Sequence, residues 1–236
     1  MHDPASCVLR SPLLTAVPQL CHGFEIGLAS AAGVPRERGR RAVADALVPV
    51  GRVHFLTQVH GVEIVEAPWV GAPAADAAVV QATGVLVAVK TADCVPILLV
   101  DKDAHLAAAV HAGWRGSAAG IARRALQALV ARGAEPARIL AAIGPAVGAC
   151  CYEVGDELRA RFGPDAAPYF SVGADGRTRL DLRGFNQHQL ETSGLRREHI
   201  EHVAHCTACD PARLPSYRRD GRDCGRILSY VGWAQC

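Results

Sequence analysis

The sequence predicts an α+β fold, and three observations carry that expectation. Strongly apolar runs of strand length follow one another without an intervening helix, as in "GVLVAVKTADC", "VPILLVD" and "AHLAAAVHAGW". Helical spacing enters only in single stretches placed after strands, which differs from a regular βαβ alternation. No internal repeat, low-complexity tract or linker divides the 236 residues, so one domain over 1–236 is expected.

Taken in order, the first 50 residues carry the weakest signals. Within them "PRERGRRAVADALV", residues 35–48, reads as a short surface helix with its charges at the front. "GRVHFLTQVHGVEIVEA" follows as two β-rich runs broken at Gly61. The runs at 84–94, 95–101 and 104–114 are short apolar strands. From Ser117 the period becomes helical: Ala118, Ile121, Ala122, Ala125, Leu129 and Val130 recur on one face, with Ser117 as the expected N-cap and Gly133 as the terminator. "ARILAAIGPAVGACCYEVGDELRARF" predicts a strand, a Gly/Pro turn and a helix. "TRLDLRGFNQHQLETSGL" predicts a strand then a helix, and "GRILSYVGW" a last strand.

Composition narrows the function class. Half the residues are hydrophobic and a fifth charged, an ordinary globular balance. The net charge is +2, lysine occurs only at Lys90 and Lys102, and the arginines are spread along the chain. No basic run interleaves with aromatics, so nucleic acid is not an expected partner. No apolar run approaches the roughly 20 residues that span a bilayer, so no membrane partner is expected. Nine cysteines, an odd number, and a start without a charged-then-apolar leader point to reduced thiols and a cytoplasmic setting. Monomer and homodimer both remain open.

One hairpin places chemistry at its end. If residues 95–100 and 105–111 pair antiparallel through Asp101–Ala104, Val100 faces His105 and Cys94 faces His111. Opposed β-carbons on one face lie about 4.5–5.5 Å apart, within reach of a shared metal ion or a thiol–imidazole hydrogen bond. Pro96 confines its strand to a sheet edge or to a strand start, and a bulged turn of odd length would rotate the two residues apart. Taken singly, Cys94 is a small hydrophobe and His111 a core histidine. The flanks favour a site: "TADC" puts Asp93 beside the thiol, and "HAGWRG" surrounds the imidazole with Gly113, Arg115 and Gly116 where a helix begins.

A second group of thiols has a different pattern. Cys206-x-x-Cys209 has metal-knuckle spacing, and His202, His205 and Cys224 are the residues that would complete four ligands. One such pair without a second is a weak signal, so packed or surface thiols are expected there. Adjacent Cys150 and Cys151 are expected to be buried at their Gly/Pro turn. "SYRRDG" offers Arg218 and Arg219 either as substrate contacts or as a solvated face.

"TQVHG", "TADCVPILLVD", "AAVHAGWRG", "AAIGPAVGACCYEVG", "LDLRGFNQHQL" and "CTACDPARLPSYRRDG", in this order from about residue 52 onward, resemble the laccase-domain family. It is also called multicopper polyphenol oxidoreductase-like or YfiH-like. The resemblance implies a four-layer α/β/β/α sandwich and a catalytic zinc held by His60, Cys94 and His111. It further implies a purine nucleoside phosphorylase that takes adenosine, inosine or methylthioadenosine with phosphate to the free base and ribose 1-phosphate, with adenosine deaminase activity alongside. Some relatives are instead linked to editing of a peptidoglycan precursor.

On that reading Arg115 and the amides of Gly113 and Gly116 cradle the phosphate, Asp93 or another carboxylate moves the proton, and Arg218 contacts substrate. Three His/Cys ligands with one open position suit a catalytic zinc, which activates water for attack on carbon 6 of a purine. Copper is the second candidate metal, but a multicopper oxidase uses His-x-His pairs, and no two of the ten histidines are two residues apart. A metal-free hydrolase with Cys94 as nucleophile and His111 as base is the alternative, followed by a metal-binding accessory protein without turnover. The departure from the family lies in residues 1–50. "HGFEIGLASAAGVPRERGRR" is shorter than the family's Gly-rich segment and lacks its arginine and "SLNL"-like stretch, which bears on substrate preference.

Overall fold

A computed structural model describes residues 8–26, 47, 50–203 and 205–234. Its strands form two large sheets and a small hairpin. The first sheet joins β1 (Val8–Leu9), β2 (Leu20–Glu25), β3 (Arg52–Phe55), β6 (Val85–Thr91) and β13 (Ile227–Trp233) in the order β1-β2-β13-β6-β3. The second joins β4 (Ile64–Glu66), β5 (Ala77–Val80), β7 (Val95–Asp101), β8 (Leu106–Ala112), β9 (Leu140–Ile143) and β12 (Ile200–His202) in the order β12-β9-β7-β8-β5-β4. β10 (Phe170–Val172) and β11 (Thr178–Leu180) pair alone. The fold is mixed α+β, as the run of adjacent strands predicts.

Every residue of β7 and β8 is buried, which is why they read as unbroken apolar runs rather than as an alternation. One face of the pair, with Leu98, Val100, Ala107 and Ala109, packs on Phe24, Val87, Val89 and Val231 of the five-stranded sheet. The other face, with Ile97, Leu99, Ala108 and Val110, packs on Ile121, Ala125 and Leu129 of a helix. Burying each large aliphatic or aromatic side chain contributes about 1.5–3 kcal/mol. The far side of the five-stranded sheet carries Leu86, Ala88, Leu228 and Tyr230, against which Leu47, Val53 and Phe55 pack. The helix expected at 35–48 lies, apart from Leu47, outside the described residues. Among the described residues no helix is long and apolar enough to cross a membrane.

The hairpin register differs from expectation. Val95 pairs with Ala112, Pro96 with His111 and Val100 with Ala107, so β8 is displaced by two residues. His105 stays in the turn, at φ 52°, because its ring stacks on Trp233 at 4.0 Å and its Nδ1 lies 2.9 Å from the Gln81 carbonyl. Asp101 Oδ1 accepts from the amides of Asp103 and Ala104 and closes the loop. A displacement of two keeps the side-chain face, so Cys94 and His111 still share one side, diagonal rather than opposed. β7 is central rather than at an edge. Pro96 is tolerated as its second residue, ahead of Ile97, where the pairing with β9 begins.

The helix after β8 also starts earlier than expected. After a first short helix, α1 (Pro12–Thr15), α2 (Trp114–Ala118) is capped by Gly113, turns at Gly120 with φ 82°, and continues as α3 (Ile121–Val130); Gly133, at φ 101°, follows the end. Ser117 is therefore inside α2, and its hydroxyl accepts from Asn186 Nδ2 at 2.9 Å. Asn186 belongs to a later helix, Leu182–Thr192, whose N-cap is Asp181. The helix expected after the Gly/Pro turn shrinks to a 3-10 turn at Asp156–Leu158 and a single α-turn at Arg159–Phe162.

Two connections pass from the five-stranded to the six-stranded sheet, β3 to β4 and β6 to β7. Because β3 and β6 run parallel, both leave from the same end of that sheet. Gln58 ties them by donating to the Lys90 carbonyl and accepting from the Lys90 amide, each at 2.8 Å.

Candidate metal and substrate site

The two crossovers and the end of β8 bring three donor side chains together. His60 comes from the β3–β4 crossover, Cys94 from the β6–β7 crossover, and His111 is the penultimate residue of β8. A ring nitrogen from each histidine and the Cys94 sulfur lie within 4.8 Å of one another. The two imidazoles meet edge to face, 4.8 Å between centroids. His111 is buried, Cys94 half-buried and His60 exposed, so the group is closed below and open above.

One carboxylate, which the sequence reading passes over, organises this group. Asp76, at the front of β5 and fully buried, places Oδ1 2.7 Å from His111 Nδ1. The same carboxylate accepts the amides of Val59 at 3.2 Å, His60 at 2.9 Å and Gly61 at 2.6 Å. It therefore shapes the loop that holds His60, at φ 61°, and orients the His111 ring. With Nδ1 engaged, the other nitrogen of His111 faces the cluster. Burial works against the charge of Asp76, but His111 and the loop amides hold its carboxyl below the usual range. The signal available in the sequence is a lone acid at the head of "DAAVV", since Asp is rarely buried unless paired.

The remaining perturbations have the same origin. Burial pushes the Cys94 thiol up, but hydrogen bonds and charge from His111 and His60 outweigh it and bring the thiol down to about 6. Burial disfavours charge on His111, while Asp76 and Cys94 hold it and raise the imidazole to about 9. In the metal-free chain the two form an imidazolium–thiolate pair. With two nitrogen donors and one sulfur donor converging, and a carboxylate fixing one ring, the residues suit a borderline-soft divalent ion with an open position.

The glycines of "HAGWRG" serve close packing. A Cβ on Gly113 would lie 3.0 Å from His60 Cδ2 and 3.2 Å from Cys94 Sγ, and one on Gly116 would lie 2.8 Å from the Gly61 carbonyl. Both residues are buried, and a side chain at either position would press on the loop that holds His60.

Above the donors opens a cleft of about 480 Å³, ordinary for a small ligand. His60 and Cys94 reach its floor, Trp114, Tyr152 and Tyr217 form aromatic walls, and Val147 and Leu182 add aliphatic surface. Asp93, Arg115 and Arg218 supply charge. Arg115 is exposed and lies over the Trp114 ring at 4.4 Å. Asp93, at φ 82°, accepts the Thr207 hydroxyl at 2.5 Å and the Arg218 amide at 2.6 Å. Arg218 sits on a short helix, Tyr217–Asp220, and its guanidinium donates to the Glu153 carbonyl. Arg219 does not reach the cleft wall; it binds the carbonyls of Thr207, Ala208 and Leu214.

The second thiol group also differs from expectation. Cys206 and Cys209 meet Cys150 and Cys151 rather than His202, His205 or Cys224. His202 Nε2 lies 2.7 Å from Gln187 Oε1, and the Cys224 sulfur accepts from Arg226. Cys150 is exposed and Cys151 half-buried, where both were expected inside.

Known proteins share sequence and fold with this chain. The sequence profile of a family described as multi-copper polyphenol oxidoreductase laccase matches residues 30–234. A Deinococcus radiodurans protein named purine nucleoside phosphorylase is 40% identical over 177 residues, covering 75% of this chain and 68% of its own. A Streptomyces coelicolor protein of the same name is 43% identical over 189 residues, covering 78% and 76%. A protein named adenosine deaminase RL5, from an unknown prokaryotic organism, is 37% identical over 163 residues, covering 66% and 61%. Among solved structures, YlmD from Geobacillus stearothermophilus aligns with a TM-score of 0.87 at 30% identity over 99% of this chain and 98% of its own. Fold, motif order and relatives converge: the chain belongs to the multi-copper polyphenol oxidoreductase laccase family, in its YfiH-like form.

Proposed function

We propose that the chain is a purine nucleoside phosphorylase with accompanying adenosine deaminase activity, using zinc at His60, Cys94 and His111 in a cytoplasmic setting. The observation that carries this reading is the placement of an open two-histidine, one-thiol donor group at the floor of an aromatic-walled cleft that also bears two guanidinium groups. The names of the related phosphorylases and deaminase support it. A zinc ion there would supply Lewis acidity at the cleft floor.

The chain's own residues divide the remaining work. Trp114, Tyr152 and Tyr217 offer faces on which a purine stacks, and Val147 and Leu182 exclude water from it. Arg115 and Arg218 hold the phosphate that attacks the anomeric carbon while the purine departs with the bonding electrons. Gly113 and Gly116 keep the His60 loop close rather than binding the anion. Asp93 has both oxygens engaged and acts by positioning Arg218 and Thr207. The decisive assay incubates the protein with adenosine, with and without phosphate, and resolves adenine from inosine. Phosphate-dependent adenine release is the expected result; inertness toward adenosine, inosine and methylthioadenosine would overturn the proposal.

The thiol of Cys94, brought down to about 6 beside His111, favours a second reading. A thiolate nucleophile with an imidazolium partner would hydrolyse an amide or ester of a cell-wall precursor without metal. Metal content separates the two, and also separates zinc from copper. Full activity in a zinc-free, chelator-treated preparation would select the thiolate mechanism.

A further inference from the structure

We propose that Cys150, Cys151, Cys206 and Cys209 form a second metal centre, a structural zinc-type site of four thiolates that staples the loop around residues 144–152 to the turn at 206–209. Their four sulfurs lie within 4.8 Å of one another, although the two pairs are more than fifty residues apart in sequence. Cys209 Sγ is 3.3 Å from Cys151 Sγ and 3.6 Å from Cys150 Sγ. A tetrahedral ion about 2.3 Å from each sulfur sets the sulfurs about 3.8 Å apart, the scale observed here. A single disulfide would use two of the four and leave the convergence of the others without a purpose.

The backbone supports the same assignment. Gly148 N–H donates to the Cys206 sulfur at 3.2 Å, the kind of amide-to-sulfur bond that favours a thiolate ligand. Cys206-x-x-Cys209 forms a tight turn, with the Cys209 amide donating to the Cys206 carbonyl at 3.2 Å. The two segments already touch: Ala146 bridges Cys206, and the Thr207 amide donates to the Ala146 carbonyl at 3.0 Å. Cys206 is buried while Cys150 and Cys209 are exposed, so an ion can enter from solvent. Binding releases the thiol protons to water and involves no change of oxidation state. The staple would fix Val147 and Tyr152 on one side and, through Thr207, Asp93 on the other, all beside the cleft.

The test is cobalt titration of the full chain, purified and stripped of metal under reducing, anaerobic conditions. Two equivalents are expected, one with the intense thiolate-to-cobalt charge transfer of an all-sulfur tetrahedral site. That signal should persist in Cys94→Ala and vanish in Cys206→Ser/Cys209→Ser, with the stoichiometry falling from two to one in each variant. A spectrum attributable to Cys94 alone, with one equivalent lost entirely in Cys94→Ala, would overturn the site. So would a Cys151–Cys209 disulfide found by peptide mapping of that same preparation. Should the double variant not fold, the wild-type zinc form decides: mercurial titration should release a second zinc to a chromogenic dye only as the sulfurs of this group are modified. Release complete after modification of Cys94 alone would refute the proposal.

Discussion

The chain holds two convergent donor groups that differ in almost every physical respect. The His60–Cys94–His111 group mixes nitrogen and sulfur, is anchored by a fully buried carboxylate, and opens onto a cleft. The Cys150–Cys151–Cys206–Cys209 group is all sulfur and faces solvent at two of its four members. The first is seated where strands end and chains cross between sheets; the second joins two turns. The contrast teaches that an orienting carboxylate and an open coordination side mark the group suited to turnover, whereas a saturated sulfur set suits holding loops together.

Variants should separate the two in graded fashion. The largest effect is expected from Cys94→Ala or His111→Ala, which should remove one equivalent of metal and lower kcat/KM by on the order of 10³-fold or more while sparing the sulfur cluster. Metal analysis with single-turnover assays checks this. Asp76→Asn should weaken metal affinity or activity by about 10–100-fold, and because it also loosens three loop amides, it should shift the affinity of both histidine ligands together. Gly113→Ala should cost about 1–3 kcal/mol by overpacking, measured as a lowered Tm, since its methyl would press on His60 and Cys94. Arg115→Ala should raise the apparent KM for phosphate by about tenfold, with stability within about 0.5 kcal/mol of the parent.

The smallest effect concerns pH in the metal-free chain. His111 lies above its ordinary value of 6.5, near 9, so its contribution is full below 6.5 and lost as the pH rises through 9. Cys94 lies below its ordinary value of 9.0, near 6, so its contribution is full above 9.0 and lost as the pH falls through 6. Their slopes offset one another between about 6.5 and 9 and both vanish above 9, so Tm should be level above about 6.5 and decline only as the pH falls from 6.5 to 6. Cys94→Ala should abolish the decline near pH 6; an unchanged acid limb would contradict the ion pair.

Much of this was legible in the sequence because side-chain periodicity survives errors of register. The hairpin was two residues from its expected pairing, yet parity kept Cys94 and His111 on one face. His105 is what shifted the register, and its stacking on Trp233, over a hundred residues away, leaves no local trace. β2, whose run is broken by His22, Gly23 and Glu25, and β5, short and rich in alanine, give weak strand signals, and Asp76 lies at the head of β5. The convergence of Cys150 and Cys151 with Cys206 and Cys209 was hidden for the same reason: spacing alone pairs neighbours, whereas these meet only after β9 and β12 align in parallel. His60 became visible through family motifs rather than through any periodic pattern.

The reach of Asp76 has a consequence for how the protein could be remodelled. Because one acid governs both the ring of His111 and the loop bearing His60, the floor of the cleft behaves as a single rigid unit. The walls are contributed by separate segments, at Trp114, Tyr152 and Tyr217, with no bond to that acid among the described residues. Selectivity can thus be redesigned by exchanging wall residues while the reactive base is left untouched.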